Sequence, residues 1–322
     1  MGIADILTEF NQRFPTDQAC EEFFYQLRWP EGFVCPKCGG TKCWTIKNPL
    51  GYECSDCKRR ISLTSGSLLA QTHLPLREWF GSAYVLCAQQ DGISARKLQE
   101  IIGLGSYQTA WLVLQRLRYA AGLIPAPKLS GPVHCFYFWY SQGSAKERGK
   151  AGKNGERKES RAIPVLCLHQ PLIRQKAGYP IRRRWLFFKV LSRLSGDEVQ
   201  AFLETHLKRD ATLLVEDGQK AFFQKQKAYN VQLVDLLQRL EIRVVLRRLR
   251  TWLNNVHGGI QKKYLQDYLH EFTFHINHPG TLHQRFDQVM KIAATHERKV
   301  VSKPAQGPDV FHEKTVRKVA GG

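Results

Sequence analysis

The stretch FVCPKCGGTKCWTIKNPLGYECSDCKRR, residues 33–60, decides how the rest of the chain is read. It carries two C-x-x-C pairs, Cys35/Cys38 and Cys54/Cys57, with fifteen residues between them. That is the spacing of a four-cysteine zinc site. A tetrahedral structural centre needs four ligands, and a tight C-x-x-C turn presents two thiolates to one ion. Gly39 and Gly40 directly after the first pair suit a sharp knuckle. Trp44 and Tyr52 lie on the short segments between the pairs, which read as strands of a zinc ribbon over residues 33–62. The competing reading is two unrelated pairs of buried or redox thiols; turn chemistry at both pairs favours zinc. Four cysteines leave no open coordination position, so the Zn2+ is expected to be structural rather than catalytic.

Outward from the ribbon, the whole chain of 322 residues has room for two or three domains, and 43% hydrophobic residues support real cores. The formal net charge is +20 and the pI about 9.7. A charge of that size points to a polyanionic partner, nucleic acid first and an anionic membrane surface second. No run of eighteen apolar residues exists, so no membrane span is expected. The first residues, MGIADILTEFNQRFP, lack a secretory pattern. Of nine cysteines, four are assigned to zinc; the other five (Cys20, Cys43, Cys87, Cys135, Cys167) are scattered and odd in number, which suits a reducing cytoplasm.

Residues 1–32 read as an N-terminal helical segment broken at Pro15. After the ribbon, residues 63–124 form a helical region, with one helix expected over about 76–90. Two further patterns follow: Ile93, Leu98, Ile101 and Ile102 ended by Gly103, then Ala110, Leu114 and Leu117 ended by Gly122. Helix, glycine turn, longer helix is a helix-turn-helix signature. Its second helix carries Gln108, Thr109, Gln115, Arg116 and Arg118 as candidate groove and phosphate contacts. The plainer alternative is a helical hairpin with a solvated basic face.

LIPAPKLSG (123–131) reads as a linker. Beyond it come β-rich runs at 133–140, 162–169 and 182–191, a helix after Ser195, and a buried strand ATLLVEDG (211–218). A polar helical stretch follows, then EIRVVLRRL (241–249) as a further strand, then the helix KKYLQDYLHEFTFHIN (262–277). This order gives an α/β domain over 131–295 with one mixed sheet. The stretch 141–161, with seven Lys/Arg and three Glu, reads as a flexible basic loop, and 296–322 as a flexible tail.

At this point the chain resembles insertion-sequence transposases that carry an N-terminal zinc ribbon and a DDE-type, RNase H-like catalytic domain. ACEEFFYQLRWPEGFVCPKCGG and YECSDCKRRISLTSGSLLAQTHLPLREWF, within residues 19–80, carry the likeness, and WLNNVHGGIQKKYLQDYLHEFTFHIN (252–277) adds to it. The resemblance implies transposition by phosphoryl transfer with two Mg2+ ions held by three carboxylates. It places the second carboxylate at Asp217 and the third at Glu271. The first position falls at Phe136, and residues 123–146 contain no Asp or Glu. The family's further polar position falls near Arg248; Arg248 and Arg250 are expected DNA contacts.

Mg2+ is then expected only in a functional site, and a degenerate one predicts that replacing Asp217 or Glu271 leaves stability nearly unchanged. Three classes follow: a transposase acting on the element's terminal repeats; a non-enzymatic zinc-ribbon DNA-binding protein derived from one; a zinc-ribbon module in transcription-like assemblies. The β-rich half argues against the third. The expected partner is double-stranded DNA bound by a homodimer, at the nucleoid in the cytoplasm.

Overall fold

The computed structural model describes residues 2–47, 50–140, 162–170, 185–225, 228–235, 240–255 and 260–297. Two helices lead into the ribbon. α1 (Ile3–Arg13) buries Ile6 and Phe10, and α2 (Asp17–Arg28) buries Cys20 and Phe24. Thr16 caps α2 by accepting the Ala19 amide at 3.1 Å, which satisfies a donor the helix itself leaves open. The ribbon strands β1 (Cys43–Lys47), β2 (Leu50–Cys54) and β3 (Arg60–Ser62) pair antiparallel in that order. Tyr52 of β2 meets Tyr25, Trp29 and Phe33 at 5.4, 5.3 and 5.8 Å between ring centroids, so the ribbon is bound to the end of α2 by aromatic packing.

Helices α3 (Leu76–Ala88), α4 (Ala95–Ile102) and α5 (Tyr107–Gly122) continue this part. Ser94 and Ser106 cap the last two, and Gly103 ends α4 with φ +77°, a conformation that glycine adopts without strain. The last helix, α10 (Leu282–Thr295), lies in the 131–295 stretch of sequence but packs against α2, α3 and α5. Phe286 sits among Phe14, Phe80 and Tyr84 at 5.5, 5.6 and 4.8 Å, and the Leu68 amide donates to the Ala293 carbonyl at 2.9 Å. One core therefore takes in the helices before the sheet and the helix after it.

The sheet has five strands: β4 (Pro132–Tyr140), β5 (Ile163–Gln170), β6 (Trp185–Val190), β7 (Thr212–Val215) and β8 (Asn230–Leu233). Their order is β6-β5-β4-β7-β8. β4 pairs antiparallel with β5, and β5 with β6; β4–β7 and β7–β8 are parallel. The parallel steps are made by crossovers through α6 (Gly196–His206) and α7 (Asp217–Phe223), since parallel neighbours cannot be joined by a hairpin. Val199, Phe202, Leu203 and Phe223 fill one face of the sheet, while α8 (Leu240–Asn255) and α9 (Lys262–Asn277) fill the other. This is the mixed α/β, RNase H-like arrangement that the resemblance implies.

Two expectations about elements do not hold. Residues 241–249 are not a strand but the first half of α8. Ile242, Val245, Leu249, Trp252 and Leu253 recur at helical spacing and are buried, while Val244, in the middle of the apparent strand, is exposed. The polar stretch after Asp217 begins as the helix α7, as expected, but then holds the short edge strand β8, whose mostly exposed residues NVQL give no apolar run to detect. The basic loop 141–161, the Arg-rich start of the third β-rich run at 182–184, and the tail beyond 297 lie outside the described residues.

The edge strand β6 is covered by α9. Gln266 accepts the Val190 amide at 2.8 Å and donates to the Phe188 carbonyl at 3.0 Å. Asn277 accepts the Leu186 amide at 2.9 Å and donates to its carbonyl at 2.8 Å. Side-chain amides thus take the place of a neighbouring strand and satisfy backbone groups that an open edge exposes.

Candidate functional site

The metal centre is built by two equivalent turns. In the first, the Gly39 amide donates to the Cys35 carbonyl at 2.9 Å, and the Cys35 amide to the Gly40 carbonyl at 2.9 Å. In the second, the Lys58 amide donates to the Cys54 carbonyl and the Cys54 amide to the Arg59 carbonyl, both at 3.0 Å. The fourth residue after each leading cysteine has positive φ, +75° at Gly39 and +55° at Lys58. At Gly40 a Cβ would lie 2.1 Å from Asp56 Oδ2 and 3.3 Å from Cys54 Sγ, so a side chain there would have to displace the exposed Asp56 and crowd the Cys54 sulfur.

The Cys35, Cys38, Cys54 and Cys57 sulfurs lie within 4.8 Å of one another, with Cys35–Cys57 at 3.7 Å and Cys38–Cys54 at 3.5 Å. A tetrahedron with Zn–S bonds of about 2.3 Å has edges of about 3.8 Å. The four thiolates fit a structural Zn2+, and among the described residues no other group of three or more His, Cys, Asp or Glu side chains could hold a metal.

The centre of the sheet is filled differently. Phe136 lies mid-strand in β4, opposite Cys167 of β5, and is 5% exposed. It belongs to the core formed with Phe188, Val245, Leu249, Leu265 and Phe272. Asp217 follows β7 as the first residue of α7 and is exposed. Two residues on, Gln219 accepts the Tyr137 amide at 3.0 Å and donates to the Tyr137 carbonyl at 2.8 Å. It takes over where β4–β7 pairing stops at His134 and Leu214. The main chain beside Phe136 is therefore saturated by a side-chain amide.

Glu271 is elsewhere. It is 0% exposed, and its Oε2 accepts from Arg118 Nε of α5 at 2.5 Å. Arg118, 1% exposed, also donates to the Ile93 carbonyl at 3.0 Å and lies 4.0 Å over the Tyr268 ring. Burial disfavours its charge, but Glu271 and Tyr268 more than offset that and raise its pKa further. Among the described residues, neither Asp217 nor Glu271 belongs to a group of three or more His, Cys, Asp or Glu side chains that could hold a metal ion.

The helix-turn-helix residues fare unevenly. α5 is a central helix, packed by α3, α4, α9 and α10. Gln115 and Arg118 are buried, so neither reaches a DNA groove. Arg116 donates to the Leu68 and Ala70 carbonyls at 2.8 and 2.6 Å, which ties it to the turn before α3. Thr109 is half-buried and bonds Ser106; Gln108 is exposed. Arg248 and Arg250 are both exposed on α8. Arg243 and Arg247 are exposed there too, and sequence reading missed them because it made this stretch a strand.

Comparison with known proteins bears on both halves. A transposase zinc-ribbon domain of the IS1595 type matches residues 15–60, and an ISXO2-like transposase domain matches residues 128–277. The chain belongs to the IS1595-type transposases. Over 145 residues it is 27% identical to an uncharacterized protein in transposable element ISH50 of Halobacterium salinarum. That match covers 44% of this chain and 48% of the relative, so the chain spans about half that protein's length. No solved structure matches. Among the described residues no helix is long and apolar enough to cross a membrane.

Family membership implies divalent cations for phosphoryl transfer, and the residues here do not fit them. Magnesium takes oxygen ligands in near-octahedral geometry. Phe136 offers none, Glu271 is enclosed beside a guanidinium, and Asp217 stands alone of the three.

Proposed function

We propose that this chain is a DNA-binding protein of transposase descent that does not itself cut or join DNA with Mg2+ or Mn2+. The observation that carries this reading is the Arg118–Glu271 ion pair. The carboxylate that resemblance places in the catalytic set is spent inside the protein, on a cation from another helix. Phe136 in the core of the sheet supports it, because a bridging carboxylate there would need the apolar cluster around it rebuilt. Positioning and charge neutralisation supply nearly all catalysis in phosphoryl transfer, so a centre without its ligands loses both. DNA binding is supported by the net charge of +20 and by exposed arginines on α8. The duplex bound would be the element's terminal repeats, by a homodimer at the nucleoid.

The test is cleavage of supercoiled plasmid carrying the element's ends, with Mg2+ or Mn2+, for wild type and Asp217→Ala. Neither protein is expected to nick above background. Nicking by wild type that is lost in the variant would show a working metal site and overturn the proposal.

A further inference from the structure

The outer surface of α8 has a feature that the ribbon and the ion pair leave unexplained. At 100° per residue, Arg243, Arg247 and Arg250 fall within about 60° of one another on the helix. Trp252 marks the opposite flank: its ring meets Tyr268 and Phe272 of α9 at 6.3 and 5.7 Å. The three arginines therefore line the flank of α8 turned away from α9. All three are exposed, and among the described residues no carboxylate pairs with any of them. An ordinary solvated helix face alternates its charges and is laced by pairs of opposite sign. This one carries a single sign and no acidic rung. The apolar Leu240 and Val244, 71% and 40% exposed, continue the same outer surface.

We infer that this stripe holds the phosphate backbone of duplex DNA. From Arg243 to Arg250 the stripe runs about 10 Å along the helix axis. One strand of DNA carries about three phosphates over that length, at roughly 3.4 Å of axis each. The guanidinium is a planar fork matched to phosphate oxygens, is always charged, and is weakly hydrated, so it gives up water at low cost. Contacts of this kind fix the position of the protein on a duplex without reading bases. The inference rests on the DNA-binding reading above and names the surface that does the binding. It moves the expected contacts away from the buried α5 and onto α8, with Arg250 kept and Arg243 and Arg247 added. Arg248, on the α9 side of the helix, is not part of the stripe.

The experiment measures binding of the full chain to a fluorescent DNA duplex across a salt series. Wild type is compared with Arg243→Gln/Arg247→Gln/Arg250→Gln. A control variant, Lys97→Gln/Lys208→Gln/Arg209→Gln, removes the same charge from exposed residues elsewhere. Each lost phosphate contact lowers the slope of log K against log salt by about 0.9, so the α8 variant should lose about 2.7 while the control changes little. Circular dichroism and a thermal melt establish that both variants are folded. Gln is chosen because it keeps helix propensity. Equal losses in the two variants would show net charge alone at work and sink the stripe, leaving DNA binding standing. A slope unchanged in the α8 variant would do the same. A wild type that binds no duplex DNA, or that binds only an RNA duplex of the same sequence, would overturn both the stripe and the reading beneath it.

Discussion

Replacing Glu271 with alanine is expected to cost stability, not activity. The sequence alone suggests the reverse, a silent change in a dead site. In the structure its carboxylate is the partner of a guanidinium that is 1% exposed, at 2.5 Å, between α5 and α9. Removing one member of a buried pair leaves the other charge without compensation, at a cost of about 3–5 kcal/mol. A domain has only about 5–15 kcal/mol in total, so the melting temperature should fall by roughly 10 °C. Arg118→Ala should be comparably damaging, with the lost cation–ring contact to Tyr268 added. Arg118→Met/Glu271→Leu should recover much of the loss, because two apolar side chains of similar volume carry no desolvation cost. The assay is urea and thermal unfolding of the four proteins, with and without Mg2+. A Glu271→Ala loss below about 1 kcal/mol, or one that appears only when Mg2+ is present, would refute the ion-pair account and return Glu271 to the metal.

Purified chain should contain one Zn2+, and Cys38→Ser or Cys54→Ser should abolish it; since metal binding in such ribbons is folding free energy of about 10–16 kcal/mol, a chelator should unfold residues 33–62, and metal content near zero in folded wild type would contradict this. Stability should also fall in mild acid. Burial, with Lys128 and Lys189, holds the His206 imidazole down at about 4, where it lies 4.3 and 4.5 Å from the Phe187 and Phe202 rings. The unfolded chain takes up that proton near about 6.5, so its contribution is full above that pH and is lost as pH drops toward about 4. His206→Phe should flatten this part of the curve; His275, held at about 3 by burial and by Arg285 and Arg248, keeps its own share in both proteins. A pH–stability profile identical in wild type and variant would count against His206.

Local chemistry was legible and long-range packing was not. The ribbon could be read because its ligands, turns and glycines lie within a few residues of one another. The helix starts at Ser94 and Ser106 and the stop at Gly103 follow from short-range capping. α8 was misread because VVL looks like a strand when its neighbours are unknown; only burial of Ile242, Val245 and Leu249 together shows the helical period. Arg118 and Glu271 are 153 residues apart in sequence, and neither carries a local mark of the other. An arginine on a helix reads by default as a surface charge, which is how Arg116 and Arg118 came to be expected on DNA. Gln219, Gln266 and Asn277 were equally unreadable, since an amide that stands in for a strand differs in no way from one in solvent until the sheet is built.

The position of α10 has a consequence for how the protein is made. The aromatic pocket of Phe14, Phe80 and Tyr84 is closed by Phe286, which leaves the ribosome about 160 residues after α5 is complete. At 5–20 residues per second that interval is roughly ten to thirty seconds. During it the first helices have emerged and the cysteine knuckles can already take metal, yet the core they belong to lacks its last wall. The nascent chain carries a sticky aromatic surface for all of that time, a window in which chaperones, proteases and neighbouring chains compete with its own C-terminal helix.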